Sequence, residues 1–243
     1  MAIGSLLRDR AWSSQAYTHQ PCADEMLQTA QAIEAAGARC FAAPLDVRSD
    51  AAVEGFHDDA VAALGSIDIL VNAAGVSCQV AIAEMTDETW ATVIDTNLNG
   101  AFRTIKRCLP GMIERRWGRI VNLGSTAARV GFARYAAYCA SKHAVLRLTR
   151  CVALEGAPHG VTCNAINPGF VDTGLTRRGS VERVRQGGQG ASVADNLARI
   201  AASQPQRRLI PAEEIAALAV FLCRDEAFGL TMEDVQVSGG TLW

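Results

Sequence analysis

Tyr138 and Lys142 stand four residues apart in the segment YCASK. On a helix that spacing puts both side chains on one face, one turn apart. Tyrosine alone is a poor acid–base group, with a pKa of about 10 in water. An ammonium beside it stabilises the phenolate and brings the hydroxyl toward neutral pH. A phenol so tuned gives a proton to a carbonyl oxygen or takes one from an alcohol. The pair alone is weak evidence, because Y-x-x-x-K arises by chance on many helix surfaces. Ser125 strengthens it. It closes the run RIVNLGS, upstream of Tyr138, where a hydroxyl can hydrogen-bond the same substrate oxygen. The competing reading is a serine that only helps a strand turn into a loop. Asn97, in TNLNG, falls inside an otherwise helical stretch, where an asparagine points to solvent or bends the helix. A bend there frees a backbone carbonyl to hold water. Asn72, in NAAG, is either a site residue or an ordinary turn residue.

The elements that must position these residues alternate between strand and helix. Arg39 to Val47 predicts a short buried strand ending in Asp46, and Ala51 to Leu64 a helix. Ile67 to Asn72 predicts a strand running into the small turn Ala73-Ala74-Gly75. Met85 to Ile113 predicts a helix broken near Asn97 and Gly100. Arg119 to Leu123 is a strand, Tyr135 to Leu154 a long alanine-rich helix, and Val161 to Ile166 a strand stopped by Pro168-Gly169. Pro211 to Cys223 reads as a helix with proline in its first turn, and Val235 to Val237 as a last strand. Such alternation argues for an α/β fold with a parallel sheet covered on both faces. Ligands of such sheets collect beyond the carboxyl ends of the strands. Asp46, Asn72 to Gly75, Ser125 and Asn167 to Thr173 all occupy those positions. Thr176 to Gln204 is long, polar and weakly patterned apart from Val193 to Ala202. It reads as a substrate lid over 174–205 or as a solvated surface loop.

The bulk numbers narrow the setting. The 243 residues are 49% apolar, which suits a single domain over 1–243 with an ordinary core. Net charge is −2, from 23 basic and 25 acidic residues, and no block of like charge stands out. Nucleic acid and membrane surfaces are therefore not expected partners. The eight cysteines lack C-x-x-C spacing, and several sit in apolar runs. That pattern suits a reducing cytoplasm and neither a disulfide scaffold nor a metal site. Met1 to Leu7 is too short an apolar stretch for a signal peptide, and no segment has the length to span a bilayer.

Asn72-Ala73-Ala74-Gly75, Asn97-x-x-Gly100, Ser125, Tyr138-x-x-x-Lys142 and Pro168-Gly169-x-Val171-x-Thr173 follow one another in the order and approximate spacing of one family. From about Cys22 to Trp243 the chain resembles the short-chain dehydrogenase/reductases. The resemblance is closest to the 3-oxoacyl-carrier-protein reductase and 3-hydroxybutyrate dehydrogenase branch. It implies a Rossmann-like, doubly wound parallel sheet and a nicotinamide cofactor, NAD or NADP. It implies a small carbonyl or alcohol substrate and a homodimer or homotetramer. By the same resemblance Tyr138 is the proton donor and acceptor. Lys142 lowers its pKa and holds the nicotinamide ribose. Ser125 orients the substrate oxygen, and Asn97 anchors a water that relays protons to Lys142. Asp46 and Val47 meet the adenine, and Asn72, Ala73 and Gly75 the adenosine ribose. Pro168, Gly169, Val171 and Thr173 line the nicotinamide.

The front of the chain departs from this pattern. The family opens with a strand and a T-G-x-x-x-G-x-G turn whose N–H groups hold the pyrophosphate. Here Gly4 is the only glycine before Gly37. The matched motifs also come early, by about the length of one strand and its turn. Met1 to Arg8 resembles the body of the helix that follows that turn, and Trp12 to Thr18 stands where the second strand belongs. Residues 1–21 are therefore expected to be a truncated or a divergent start. The segment Thr18-His19-Gln20-Pro21 carries no acid where NAD enzymes place one, which leans toward NADP. Three functions compete: a ketone reductase or alcohol dehydrogenase, a catalytically impaired relative acting as a binding or subunit partner, and an epimerase on the same fold. Ser125, Tyr138 and Lys142 favour the first. Arg129, Phe132, Arg134, Arg177 and Arg178 are candidates to meet an acidic or phosphopantetheine-bearing substrate.

Overall fold

The computed structural model describes residues 2–3, 23–185 and 192–241. In chain order these form β1 (Ala2–Ile3), α1 (Ala23–Ala35), β2 (Phe41–Ala42), α2 (Asp50–Leu64), β3 (Ile69–Asn72), α3 (Asp87–Ile94) and α4 (Gly100–Arg115). They continue with β4 (Gly118–Leu123), α5 (Ala136–Gly156), β5 (Val161–Pro168), α6 (Gly174–Arg185), α7 (Val193–Ser203), α8 (Ala212–Leu222) and β6 (Asp234–Val237). Four strands form a parallel sheet in the order β3-β4-β5-β6. β4 and β5 run side by side from Gly118 opposite Val161 to Leu123 opposite Ile166.

Both faces of this sheet are covered, as a doubly wound architecture requires. Alternate residues of a strand point to opposite faces. Ile120 and Cys163 therefore pack with Ile105, Met112 and Val152 of α4 and α5. Val121 and Ile166, one residue out of step with Ile120 and between the alternate positions of β5, pack with Leu222 of α8. Burial of this kind stabilises by roughly 25 cal/mol per Å² of apolar surface, which is why β4 and β5 read as apolar runs.

The helices start where local chemistry dictates. The Thr86 hydroxyl accepts from the Thr89 N–H at the start of α3, with Asp87 and Glu88 in the first turn. Ser49 accepts from Ala52 N–H to start α2, and Gly65, at φ 99°, ends it. The break expected near Asn97 is a π-turn over Asp95–Asn99 that joins α3 to α4.

Two expectations need correction. The strand expected over Arg39 to Val47 is only the pair Phe41–Ala42; the chain has already left the ladder before Pro44. Ala2–Ile3 is strand and not helix: it pairs in parallel with Phe41–Ala42, so the backbone groups of β2 find partners there. The segment 174–205, weakly patterned apart from Val193 to Ala202, contains two helices, α6 and α7. Ser192 caps α7 through the Asp195 N–H. The second strand expected at Trp12 to Thr18 and the cofactor-selecting segment Thr18 to Pro21 lie outside the described residues. Among the described residues β1 and β2 form a separate two-stranded ladder, and β3 has no strand partner on the edge away from β4. Ile69 and Val71 on β3 are 46% and 45% exposed, unlike the strand interior beside them.

Candidate active site

The long helix α5 carries Tyr138 and Lys142. Its alanines favour helix, and its inward stripe includes Val145, Leu146, Thr149 and Val152. Tyr138 lies in the first turn of the helix, and Ser125 lies just beyond the carboxyl end of β4. The Ser125 hydroxyl lies close enough to the Tyr138 phenol to lower its pKa. The Ser125 hydroxyl also accepts from the Ala127 N–H at 3.1 Å, which turns the chain into the short 3₁₀ segment Thr126–Ala128. Burial pushes the Tyr138 phenol above its ordinary value, and the Ser125 hydroxyl pulls it partly back.

Lys142 is buried, and its Nζ donates to the Leu123 carbonyl at 2.7 Å while standing 5.8 Å from the centre of the Tyr138 ring. Burial lowers its pKa to about 8. Lys142 was expected to depress the tyrosine. The phenol instead stands above its ordinary value, with burial the largest cause.

Asn97 sits in the π-turn, buried, with its amide fully engaged. Oδ1 accepts from the Val76 N–H at 2.8 Å, and Nδ2 donates to the Val76 carbonyl and the Ser141 hydroxyl, both at 2.9 Å. It ties the segment after the Asn72-Ala73-Ala74-Gly75 turn to the residue preceding Lys142. Gly75 completes the junction: a Cβ there would stand 3.4 Å from Asn97 Oδ1 and 3.6 Å from Lys142 Nζ. Gly100 explains the rest of that motif. A Cβ on it would meet Val47 Cγ2 at 2.7 Å, so only glycine lets α4 pass this close to Val47.

The Asn72 side chain is a structural tie. Its Nδ2 donates to Asn122 Oδ1 at 2.8 Å, and its Oδ1 accepts from Thr104 at 2.7 Å. What remains for a ligand in that turn is the Ala73 to Gly75 backbone. Asp46 accepts from Arg48 through the backbone N–H, Nε and Nη2 at 2.7 to 3.1 Å. Its pKa is lowered: burial works against the charge, and the Arg48 bonds outweigh burial. Val47 is buried, and its carbonyl accepts from Arg103 at 3.2 Å. Pro168 ends β5. Gly169 donates to the Val237 carbonyl at 2.9 Å, Val171 bridges to Ile210, and the Thr173 carbonyl accepts from Arg177 N–H in the first turn of α6.

Ser125, Tyr138, Lys142, Asn97 and Gly75 thus come together at the carboxyl ends of β3 and β4. Asp46 and Val47 approach from the α4 side, and Pro168 to Thr173 from β5. Two of the arginines expected to face an acidic substrate are already paired: Arg129 with Asp234, and Arg177 with Asp172 at 2.8 Å. Sequence reasoning missed Gln79, Tyr135 and Arg183. The Tyr135 hydroxyl donates to Gln79 Oε1 at 3.2 Å and accepts from Arg183 Nη2 of α6 at 3.2 Å. Arg134 beside it has φ 71°, and its carbonyl accepts from Val80 N–H at 2.8 Å. Strained non-glycine backbone of this kind clusters at functional sites. Only the proximity of Tyr135 to Tyr138 in the chain pointed there.

Among the described residues, no group of three or more His, Cys, Asp or Glu side chains is placed to hold a metal. No helix among them is long and apolar enough to cross a membrane. A family model described as enoyl-(acyl carrier protein) reductase matches residues 16–241. A Streptomyces virginiae protein named as a ketoacyl reductase of the monensin polyketide synthase is 39% identical over 221 residues, 89% of this chain and 83% of its own length. The 3-oxoacyl-acyl-carrier-protein reductase FabG of Salmonella typhimurium is 36% identical over 196 residues, 81% of this chain and 75% of its own. Among solved structures, an actinorhodin polyketide ketoreductase variant with NADPH superposes with a TM-score of 0.87 at 32% identity, covering 98% of this chain and 86% of that one. With Ser125, Tyr138 and Lys142 gathered at the strand ends and this likeness along most of its length, the chain belongs to the short-chain dehydrogenase/reductases, an oxidoreductase family, close to the 3-oxoacyl-acyl-carrier-protein reductase branch.

Proposed function

We propose that the chain reduces a ketone to a secondary alcohol, with a 3-oxoacyl thioester as substrate and NADPH as cofactor, through Tyr138 as general acid. The single observation that carries this reading is the gathering of half-buried Ser125 and Tyr138 with buried Lys142 at the end of β4. Ser125 orients the carbonyl oxygen. Tyr138 donates its hydroxyl proton to that oxygen as the carbon is reduced, and Lys142 offsets the negative charge left on the phenolate. Asn97 and its π-turn hold the Gly75 turn against Lys142.

The described residues fit the ribose and nicotinamide end of the cofactor. Gly75 leaves room beside Lys142 Nζ, and Gly169 lies so close to Ser238 that a Cβ would meet its Cα at 3.0 Å. Lys142 would hold the ribose hydroxyls, and 168–173 would line the ring. The bound cofactor supplies the hydride. The choice of NADPH over NADH is favoured by the lack of an acid in residues 18–21 and by the ketoreductase solved with NADPH. The α6–α7 segment acts as the substrate lid of one catalytic unit, and its Arg183 bond to Tyr135 supports that role.

A second reading, a catalytically impaired subunit partner, is favoured by the lack of a strand beside β3 among the described residues and by the exposure of Ile69 and Val71 there. Turnover decides between the two. The 243-residue chain is expected to oxidise NADPH in the presence of a 3-oxoacyl thioester. Tyr138→Phe should keep its circular dichroism and lose at least ~100-fold in kcat, the scale of acid–base catalysis. Wild-type turnover with more than about a tenth retained in the variant removes Tyr138 from the mechanism. No wild-type turnover favours the impaired partner.

A further inference from the structure

Ser125 works only if its hydroxyl is aimed, and its backbone lies past the last ladder bond of β4. Gly124 N–H donates to the Ile166 carbonyl at 2.8 Å, and β5 offers Ser125 no further backbone carbonyl. The Ser125 N–H donates instead to Asn167 Oδ1 at 3.2 Å. Asn167 is fully buried. Its Nδ2 lies 3.5 Å from Asp234 Oδ1 on β6. Asp234 is nearly buried and takes two arginines, Arg129 on one oxygen and Arg150 at 3.1 Å on the other.

The amide can face only one way. An N–H requires an acceptor, so Oδ1 turns to Ser125; a carboxylate requires a donor, so Nδ2 turns to Asp234. Space agrees with this assignment. A Cβ on Gly124 would run into Asn167 Oδ1, so the glycine is what admits the asparagine side chain beneath Ser125.

We infer that Asn167 is a positioning residue for Ser125, locked in its orientation by Asp234 and the Arg129–Arg150 clamp. This rests on the carbonyl chemistry proposed for Ser125. Asn167 touches no reacting atom. It extends the β4–β5 ladder by one side-chain rung, so that Ser125 leaves the sheet with a fixed backbone and its hydroxyl meets Tyr138. The arginines take part from the surface by neutralising a carboxylate that would otherwise be buried beside the site without a counter-ion.

The test is a pair of variants with two readouts. Asn167→Ala should lower kcat about tenfold, the effect of one hydrogen bond of this strength, and leave KM within about twofold. In a Ser125→Ala background the same change should cost almost nothing more, because its effect passes through Ser125. Gly124→Ala, which keeps the asparagine but displaces its oxygen, should show the same pattern and serves if Asn167→Ala does not fold. Independently of turnover, hydrogen exchange by NMR should speed up by at least ~10-fold at the Ser125 amide, with the β4 amides of Ile120 to Asn122 unchanged. Equal losses of kcat in both backgrounds, or an unchanged Ser125 amide, overturn the assignment. If the wild-type chain reduces no ketone, the carbonyl reading fails, and the exchange experiment still decides whether Asn167 holds Ser125.

Discussion

At the scale of single residues, Lys142 is the group of the candidate site whose charge changes near neutral pH. Its ammonium is charged below pH 8 and lost above, since burial places its pKa at about 8. The Tyr138 phenol is pushed up and keeps its proton over that range. The mechanism proposed above needs both protons in place, so it predicts a kcat that is flat below pH 8 and declines above it. Stability moves the other way. The unfolded lysine keeps its proton to about 10.5, so between pH 8 and 10.5 the unfolded state binds more protons and folding becomes more favourable as pH rises. Lys142→Arg stays charged throughout and should remove the alkaline limb from the pH–rate profile, whatever its effect on the plateau. A limb that persists unchanged in that variant assigns it to another group. Tyr138, Lys142 and Ser125 were legible from spacing alone. The paired states of Asn72 and Arg129 were not, because their partners lie far away in the chain.

Among the elements, the helix–π-turn–helix run from α3 to α4 was foreseen from an asparagine and a glycine inside one periodic pattern. α7 answers to the patterned stretch Val193 to Ala202, whereas α6 was not foreseen, because its polar residues carry little periodicity and it is held by Tyr135 through Arg183. β3 gives the sharpest test. It reads as a buried strand, and its inward Leu70 does pack against the α4–α5 core. Ile69 and Val71, on the opposite face, stay exposed. Ile120 on β4 is completely buried. Ile120→Ala should therefore cost about 2–5 kcal/mol in urea denaturation, the range for buried isoleucine truncation. Ile69→Ala should cost under about 1 kcal/mol. Equal costs mean that Ile69 is covered in solution, by a strand or by another subunit.

For the whole molecule, several large apolar side chains are exposed among the described residues, among them Phe102 on α4, Leu154 on α5, and Val220 and Phe221 on α8. Large exposed side chains of this sort commonly mark subunit contacts. Light scattering at micromolar concentration should give a multiple of the 25.8 kDa chain. Phe102→Glu with Leu154→Glu should lower that mass without unfolding the protein. A 25.8 kDa monomer for both forms counts against assembly through α4 and α5. The sequence by itself determined the alternation of strand and helix from β3 to β5, the family and the candidate trio Ser125, Tyr138 and Lys142, because these depend on periodicity and on residues close in the chain. Only the tertiary structure decided which polar groups are free to act. That depends on whether a buried donor finds an acceptor, as Ser125 finds Asn167 and Asn97 finds Val76, and those partners meet only when the strands and helices pack.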